Sequence, residues 1–462
     1  MTEEVSVDSA AASLIRIPPE MDVPVTPRVM RIIDSEPMRR LGRVSQLGLV
    51  SLVYPGGVHS RLEHSLGVYR GALGLLEHFA SDGRFRELVS PAAADAFIVA
   101  SLVHDCGHWP FCHPIEDMQL PGVPTHEARA RALIGGGELA PLIAAEWRCE
   151  IESVLRILEK RPADDAERLL SSLLSGPIDI DKMDYLIRDS LHAGVPYGRN
   201  FDVGRLLASI RLHPDEPRMA IGDKGRTAAE MMVFARYVMF SEVYWHHAVR
   251  SATAMLQRAV FLLRESLELA SSTEQTPALK EEGRLDPGGM YDLDDAHWIA
   301  RIREVAAGSP AESLVEGLFG PRRRLLKRVA QFNVLDEPAR HQQLAHRPYW
   351  WLVAASGELA ERLSKRLAGR LSGPLTAADV IIDAPPVKLE VDINVDVIDP
   401  LGRPRPLGQV SPVVEALANR QFDSHVKRVR VFVPEGVRDA LPGGRLPPED
   451  LDAAIEATRS IA

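Results

Sequence analysis

Apolar side chains recur every third or fourth position through most of the first 270 residues, which is the spacing of helices. Residues 91–104 show this most clearly. Ser90 suits the N-cap and Pro91 the first turn, and an apolar stripe follows at Ala94, Phe97, Ile98 and Leu102. Residues 57–79 predict another helix, whose core-facing stripe is Leu62, Leu66, Tyr69, Leu73 and Leu76. Helical patterns return in residues 292–306, 309–333 and 345–371.

After about residue 376 the pattern changes to a period of two. Residues 387–398 and 426–434 alternate apolar and polar side chains, which is typical of strands. Residues 411–422, between them, resemble a short helix, whereas residues 271–289 are polar and contain Gly and Pro, so we expect a loop there. The chain is therefore predicted to be mostly α-helical, with a smaller α+β portion near its C-terminal end.

Four regions follow from these patterns. Residues 1–25 are expected to be a flexible arm, which ends in the Pro-rich stretch IPPEMDVPVTP. Residues 26–270 form the predicted helical core, residues 271–375 a helical extension, and residues 376–462 the α+β region. A chain of 462 residues can build two or three ordinary domains, or one large core with elaborations.

Composition narrows the class of protein. Hydrophobic residues make up 45% of the chain, enough for a sizeable core, and the net charge is −10. An acidic chain disfavours a broad nucleic-acid surface, although a local basic pocket can still hold a phosphate. Three cysteines are an odd and sparse set, which favours a reducing compartment over a disulfide framework. Because they contain no CxxC pair, a zinc ribbon is not expected. Because the sequence has no signal peptide and no run approaching about 20 apolar residues, we expect a cytoplasmic protein without membrane spans.

The chemistry is centred on His104 and Asp105, which follow the apolar stripe of residues 91–104. His108 and His113 come directly after them in the stretch LVHDCGHWPFCHP. Imidazole nitrogen and carboxylate oxygen are suitable ligands for Mn, Fe, Co, Ni, Zn or Mg. A lone His-Asp pair is common, however, and a helix-end cap with surface histidines explains this stretch equally well.

Arg61 and His64 lie three residues apart on the helix predicted over residues 57–79, so they share a face. A cation beside a metal-binding histidine is unfavourable unless an anion lies between them, and a phosphate is the natural candidate. The alternative is an Arg and a His that are both solvated on an exposed face.

The stretch IDIDKMDYLIRDS places a second polar face on a helix. Asp181, Tyr185 and Asp189 fall at intervals of four residues, on one side, and Lys182 is nearly aligned with Asp189. Such a face offers a metal-binding carboxylate, a phosphate-binding cation and a sugar-binding carboxylate. Salt bridges on a charged helix surface are the alternative.

Taken in order, these stretches resemble the HD-domain deoxynucleoside triphosphate (dNTP) triphosphohydrolases. That family includes bacterial enzymes and a vertebrate dNTP hydrolase with an additional SAM domain. The similarity runs from about Ile33 to about Pro434. Its matching stretches are QLG at residues 46–48, YPGGVHSRLEHSLGV, HDCGHWPFCH, IDIDKMDYLIRDS, and VYWHHAVR at residues 243–250. The ordered set is much more specific than a His-Asp pair alone.

The resemblance implies an HD-type catalytic core over residues 26–270, with one divalent metal ion per active site (Mn, Fe, Mg, Co, Ni or Zn). The implied metal ligands are His64, His104, Asp105 and Asp181. The implied phosphate contacts are Arg61, Lys182, Tyr185 and Arg236. The implied sugar pocket has Gln46 and Asp189 at the 3′-hydroxyl, Leu47 and Tyr244 crowding the 2′ position, and His246 at a further pocket position.

The resemblance also implies a network of catalytic histidines. His108, His113 and His126 match the catalytic and pocket histidines of the family, and either His113 or His126 would be the general acid. Glu116 stands where a family member has an aspartate, so the carboxylate is kept but reaches further.

The regulatory part of the resemblance is incomplete. The family's guanine-reading activator site uses an Asp, a Gln and an Arg; Asp34 matches the first, whereas Arg39 and Gly42 replace the other two. Arg39 and Arg40 still offer contacts to phosphates, the alternative being that they line a solvated helix face with Arg43. The first 25 residues are too short for a SAM domain.

The implied reaction is hydrolysis of a dNTP to deoxynucleoside and triphosphate by attack at the α-phosphorus, in a homo-oligomer that a nucleotide can activate. One alternative keeps the HD site but changes the substrate to a nucleoside monophosphate, a cyclic nucleotide or a modified nucleotide. Another is a non-catalytic nucleotide-sensing scaffold. Nuclease activity on single strands is a further alternative, which the net charge does not support.

Overall fold

The computed structural model describes residues 2–6, 13–269, 289–384, 394–417 and 426–459. The loop predicted over residues 271–289 lies almost wholly outside these ranges. So do most of the strand predicted over residues 387–398 and the second half of the helix predicted over residues 411–422.

Fifteen of the described helices come before residue 270. They are α1 (Glu3–Ser6), α2 (Pro27–Ile33), α3 (Glu36–Leu41), α4 (Arg61–Phe79), α5 (Gly83–Leu88), α6 (Pro91–Val103), α7 (Cys112–Glu116), α8 (His126–Gly136), α9 (Leu139–Glu146), α10 (Ile151–Leu158), α11 (Asp165–Ser175), α12 (Ile180–His192), α13 (Val203–Ser209), α14 (Arg226–Met239) and α15 (His247–Leu263). A π-helical turn, Phe240–Tyr244, joins the last two.

The helices after residue 289 are fewer and more widely spaced. They are α16 (Asp295–Ala306), α17 (Glu312–Phe319), α18 (Pro338–Leu344), α19 (Tyr349–Arg366), α20 (Leu407–Val410), α21 (Pro412–Ala416), α22 (Glu435–Ala440) and α23 (Pro448–Arg459). Short 3₁₀ turns occur at Gly48–Leu52, Tyr197–Arg199, Asp223–Gly225 and Pro442–Gly444.

Three small sheets complete the described fold. Their strands are β1 (Ser13–Ile17), β2 (Met21–Val25), β3 (Ile210–Leu212), β4 (Met219–Gly222), β5 (Lys327–Phe332), β6 (Ile381–Asp383), β7 (Asp396–Ile398), β8 (Pro404–Pro406) and β9 (Val429–Val433). The strand orders are β1-β2, β3-β4-β7-β8 and β5-β9-β6, and only the β4–β7 pair is parallel. The prediction of a mostly α-helical fold with a small α+β portion is therefore confirmed.

Helix α6 forms the centre of the helical core. Ser90 caps its start by accepting a hydrogen bond from Ala93 N, and every residue from Ala96 to Val103 is fully buried. Because α6 packs against α4, α10 and α11, its apolar residues are covered on several sides. The helix predicted over residues 91–104 is thus confirmed, with His104 just after its end.

Two predictions about secondary structure were wrong. Residues 13–25, expected to belong to a flexible arm, form the β1–β2 hairpin, and Val23 and Val25 are buried in the main apolar cluster. Residues 309–333, expected to be helical throughout, contain α17 followed by strand β5. The sequence Gly320-Pro321 ends the helix, and β5 pairs with β9, a partner far along the chain that local periodicity cannot reveal.

The C-terminal region is not packed separately from the helical core. Strand β7 pairs with β4, so Ile221 lies opposite Val397. Val395, Val397 and Leu407 are buried in the same apolar cluster as the core helices. Residues 394–417 are therefore part of the helical core, whereas β5, β6 and β9 form a second sheet covered by α19 and α23. Across the described ranges, no helix is both long enough and apolar enough to cross a bilayer.

A buried ion pair joins the core to this second sheet. Arg250 on α15 donates hydrogen bonds to Asp383 on β6, at 3.1 Å from Nε and 2.5 Å from Nη2, and both side chains are at most 8% exposed. The guanidinium also lies over the Trp245 ring, 4.5 Å from its centroid.

We expect Asp383→Ala to lower the free energy of unfolding by about 3–5 kcal/mol, since it leaves the Arg250 charge buried without its partner. Urea denaturation followed by circular dichroism measures this change. Asp452→Ala is the matched control, because Asp452 pairs with Arg340 but is 52% exposed, and its loss should cost about 1 kcal/mol or less. Equal effects of the two substitutions would contradict the prediction.

Candidate active site

Three elements bring the predicted metal ligands together. Helix α4 begins at Arg61 and carries His64, α6 is followed by His104 and Asp105, and the first turn of α12 carries Asp181. Both α4 and α12 begin at a capped N-terminus, because Ser60 accepts from Glu63 N and Asp179 accepts from Lys182 N. The caps determine where each helix starts, and therefore which side chains point towards the other two elements.

The four side chains form a compact cluster of potential ligand atoms. The Nε2 atoms of His64 and His104 are 3.2 Å apart, and Asp181 Oδ1 lies 3.0 Å from the first and 3.8 Å from the second. Asp105 Oδ1 is 3.4 Å from His104 Nε2. Ligand atoms that share one ion at about 2.0–2.2 Å are separated by roughly 3–4 Å. The ligand atoms of His64, His104 and Asp105 all lie within 4.8 Å of one another and could hold one divalent metal, and Asp181 is the candidate fourth ligand beside the two histidines.

Hydrogen bonds behind the cluster fix both imidazoles. His64 Nδ1 donates to Asp184 Oδ2 at 2.8 Å, and His104 Nδ1 donates to the carbonyl of Ser101 at 2.9 Å. Each ring therefore presents Nε2 to the cluster, which is the arrangement that metal-binding histidines usually adopt. Asp184 is held in turn by two hydrogen bonds from Arg188.

The pKa values of the clustered side chains depend on burial and on their hydrogen-bonded and charged neighbours. Burial alone lowers the pKa of His64, but hydrogen bonds with Asp181 and Asp184 outweigh it and raise that pKa to about 10. Burial raises the pKa of Asp105, yet the neighbouring His108, His104 and Arg61 hold it well below its usual range. A metal ion would therefore compete with a proton at His64 and meet an ionised carboxylate at Asp105.

A second group of histidines lies beside the first. The ring nitrogens of His108, His113 and His126 offer one atom each within 4.8 Å of one another. His126 Nδ1 donates to Glu116 Oε2 at 2.9 Å, and Glu116 also accepts from the backbone N–H of His126. His108 is buried, and burial, with Arg61 nearby, lowers its pKa well below the usual value. His113 is exposed.

A cavity of about 660 Å³ opens over both groups, a volume typical of small-molecule sites. Fifteen of the seventeen predicted site residues line it: Gln46, Leu47, Arg61, His64, His104, Asp105, His108, His113, His126, Asp181, Lys182, Tyr185, Asp189, Arg236 and Tyr244. Glu116 lies behind His126 instead. His246 does not line the cavity, because its side chain caps α15 by accepting from Ala248 N.

The predicted phosphate-binding cations differ in how far they are already paired. Arg61 Nη1 donates to Asp105 at 2.9 Å, and Lys182 Nζ lies 2.5 Å from Asp179. Burial and the Asp181 charge raise the pKa of Asp179 to about 6, despite Lys182. Arg236 Nε is buried and has no hydrogen-bond partner among the described residues. Arg236 is thus the least engaged of the three.

The residues of the predicted sugar pocket line the same cavity. Tyr244 Oη donates to Asp189 Oδ2 at 2.5 Å, and His59 Nε2 donates to Asp189 Oδ1 at 2.9 Å. Gln46 Oε1 is buried and, in the part of the chain that the structure describes, has no hydrogen-bond partner. Leu47 packs beside it at the cavity wall.

One arginine of the segment predicted to bind an activator is buried. Arg40 is only 3% exposed and donates through Nη2 to the carbonyl of Cys106 at 2.9 Å, next to Asp105. Burial, with Arg129 nearby, lowers its pKa to about 10. Arg40 is therefore a packed support of the His104–Asp105 loop rather than part of a solvated face, which leaves Arg39 and Arg43 on the surface.

Sequence reasoning missed three residues at this site: His59, Asp184 and Arg188. Asp184 follows Asp181 by three residues, and Arg188 follows Asp184 by four, so the helical spacing of IDIDKMDYLIRDS contained a signal for both. His59 precedes α4, and its partner Asp189 is 130 residues away, so no local pattern could indicate it.

The sequence profile of the family described as the HD associated region matches residues 201–445, more than half of the chain. The chain belongs to the HD-domain phosphohydrolase family. As an HD phosphohydrolase, it has the His and Asp side chains that a metal-dependent hydrolase of this type requires.

Several proteins are similar to this HD phosphohydrolase over most or part of its length. Uncharacterized protein MJ1154 of Methanocaldococcus jannaschii is 28% identical over 416 residues, which are 90% of this chain and 77% of MJ1154. Deoxynucleoside triphosphate triphosphohydrolase SAMHD1 of Homo sapiens is 29% identical over 277 residues, 53% of this chain and 44% of the human protein. A hypothetical protein from Aquifex aeolicus has a similar solved structure, with a TM-score of 0.66 and 26% identity over 93% of this chain and all of that one.

We expect Asp105→Ala to lose most of its bound divalent metal, because removing one of four ligands should weaken binding by more than the roughly 10–100-fold that follows loss of an outer contact. Inductively coupled plasma mass spectrometry after gel filtration measures metal per chain. Glu159→Ala is the control, since Glu159 also lines the cavity but pairs with Arg131. Unchanged metal in Asp105→Ala would contradict the assignment of this cluster.

Proposed function

We propose that this HD phosphohydrolase hydrolyses dNTPs to deoxynucleoside and triphosphate by attack of water at the α-phosphorus. One observation carries the proposal: the candidate metal ligands, the candidate phosphate-binding residues and the candidate sugar-binding residues all line one cavity. A dNTP offers phosphates and a sugar to such residues and carries its α-phosphorus between the two. The name of the human relative supports the same substrate class.

The metal would be held by His64, His104, Asp105 and Asp181. When bound, a divalent ion supplies Lewis-acid activation of water and charge neutralisation at a phosphoryl group. The chain itself contributes the geometry around it, because Asp184 and the Ser101 carbonyl keep both imidazoles turned towards the cluster. Arg61, which is buried beside Asp105, adds a fixed positive charge next to the reacting phosphate.

The outer phosphates would bind on the α12 and α14 side of the cavity. Lys182 and Tyr185 lie there on α12, and Arg236 faces them from α14. The Arg236 Nε–H has no protein acceptor within the described ranges, so an incoming phosphate oxygen would satisfy it without breaking an existing contact. Lys182 would share its charge between Asp179 and the ligand.

A histidine would protonate the leaving 5′-oxygen. Glu116 holds His126 by its Nδ1 hydrogen bond, and Nε2 of that ring, which lies 3.3 Å from the exposed Glu127 carboxylate, would transfer the proton. His113 is the alternative acid, because its ring lies 5.1 Å from that of His126 and also lines the cavity. His108 is less suited, since burial lowers its pKa and favours the neutral ring.

The decisive measurement is product analysis. Metal-loaded protein is incubated with each dNTP and each NTP, singly and mixed, and products are resolved by ion exchange. We expect tripolyphosphate and deoxynucleoside in equal amounts, because attack at the α-phosphorus leaves the three phosphates joined. Release of pyrophosphate or monophosphate would contradict the proposal. Hydrolysis of a monophosphate, cyclic or modified nucleotide would favour another HD substrate, and tight binding without turnover would favour a nucleotide sensor.

We expect the enzyme to prefer deoxyribose, because Leu47 and Tyr244 would crowd a 2′-hydroxyl. A close apolar wall typically gives a preference on the order of a hundredfold. Tyr244→Ala should therefore narrow the ratio of kcat/KM for dATP over ATP, whereas Tyr244→Phe keeps the ring and should keep more of the preference. Steady-state rates on both substrates check this. Equal hydrolysis of ATP and dATP by the unmodified protein would show that the roles of Leu47 and Tyr244 are wrong.

We expect no strict requirement for GTP as an activator of the proposed homo-oligomer. Gly42 has no side chain to bind a base, and Arg40 is buried against the Cys106 carbonyl, so Arg39 and Arg43 are the arginines of this segment that remain exposed. The protein should be active on a single dNTP, alone or with a dNTP as activator. Rates on one dNTP with and without GTP, alongside sedimentation, measure this. Inactivity that only GTP relieves would overturn the prediction and leave the catalytic assignment unchanged.

A further inference from the structure

His59 contacts both residues that are expected to bind the sugar 3′-hydroxyl. Its side chain donates from Nε2 to Asp189 Oδ1 at 2.9 Å, and its backbone carbonyl accepts from Gln46 N at 2.9 Å. The imidazole is fully buried and does not line the cavity. His59 therefore lies directly behind the sugar pocket, where it can hold the pocket but cannot touch a ligand.

The carboxylate of Asp189 accepts hydrogen bonds from two side chains. Tyr244 Oη donates to Oδ2 at 2.5 Å, while His59 donates to Oδ1. A carboxylate can only accept, so the hydrogen on this face of the His59 ring is on Nε2. His59 Nδ1 is buried and has no hydrogen-bond partner among the residues described. Within the described ranges, the contact with Asp189 is thus the one polar contact of the imidazole, and it fixes how Asp189 faces the cavity.

The ring of His59 is itself anchored to the metal side of the site. It stacks on His192, with centroids 4.3 Å apart and planes inclined by 18°. His192 Nε2 donates to Glu63, and Glu63 also accepts from Arg188 Nη1 at 2.7 Å. Arg188 then holds Asp184, which holds His64. One buried network therefore fixes the sugar pocket relative to a metal ligand.

An acceptor at this end of the cavity lacks a protein donor. Gln46 Oε1 is buried without a hydrogen-bond partner in the described part of the chain, and Gln46 lines the same cavity as Asp189. An unsatisfied buried acceptor costs stability unless a ligand supplies the missing donor. A hydroxyl group can do so.

We propose that His59 is a positioning residue that sets specificity for a sugar 3′-hydroxyl. It orients Asp189 through its side chain and Gln46 through its backbone, so that the two polar groups converge on one hydroxyl. This inference rests on the proposed function, since it takes a deoxynucleotide as the substrate. The inference adds to that function a selection against 3′-deoxy nucleotides, which His59 would exert without touching them.

The experiment compares two variants that separate the hydrogen bond from the ring. His59→Phe keeps the volume and the stacking on His192 but removes the donor, whereas His59→Gln places an amide N–H at similar reach. For each, kcat and KM are measured on dATP and on 2′,3′-dideoxyATP. His78→Phe is the control, because His78 is a half-buried histidine that donates to the Ile210 carbonyl away from the cavity. Metal per chain is measured for all four proteins.

The unmodified protein should prefer dATP over the dideoxynucleotide by on the order of a hundredfold or more. His59→Phe should reduce that ratio by roughly 10–100-fold, through a higher KM and lower kcat on dATP alone, with metal content unchanged. His59→Gln should restore much of the ratio, and His78→Phe should leave it intact.

Three results would overturn the proposal. In the first, His59→Phe lowers the rates on dATP and dideoxyATP equally, which indicates a purely structural role. In the second, His59→Phe changes neither rate, so the ratio of dATP to dideoxyATP hydrolysis stays that of the unmodified protein. In the third, the unmodified protein cleaves no dNTP, which refutes the proposed function itself and this assignment with it. The third is distinguishable from the others before any variant is made.

Discussion

His64 donates a hydrogen bond to Asp184, and Asp184 accepts two more from Arg188, with all three side chains buried between α4 and α12. A charged group in such a place is stable only with its partners, so the three residues hold one another in a single arrangement. The orientation of His64 towards the cluster, the position of α12 against α4 and the approach of His192 to the sugar pocket all depend on it. Losing Asp184 would leave His64 Nδ1 without its acceptor and would leave Arg188 with Glu63 as its acidic partner.

The same constraint explains how charge is distributed around the cavity. Arg61 is neutralised by Asp105 and Lys182 by Asp179, so two buried cations exist there without a ligand. Arg236 lines the cavity, and its Nε–H has no acceptor among the residues that the structure describes. A polyanion entering this space would find positive charge already desolvated and fixed in direction, which makes each contact stronger than at the surface. Under the proposed function, selectivity would come from Asp189 and Gln46, the candidate contacts of a sugar hydroxyl.

Much of the helical core and of the site could be predicted from the sequence, since α4, α6 and α12 are long and strongly periodic. The candidate ligands themselves came from the resemblance of these stretches to a known family. What could not be predicted depends on distant partners. Strand β5 is explained by pairing with β9, and His59 by Asp189, neither of which is visible in a local window. Arg40 carries a charge typical of a surface residue, yet the loop after α6 needs a donor for the Cys106 carbonyl.

The parallel pairing of β4 with β7 has a consequence for the order in which the protein matures. During synthesis, the stretch that carries every proposed metal ligand leaves the ribosome long before Val397 is made. Until then, the edge of β4 that pairs with β7 has no partner strand. Contacts between such distant segments form slowly, and an unpaired edge invites association with other chains. The nascent core would therefore be most vulnerable to aggregation in that interval.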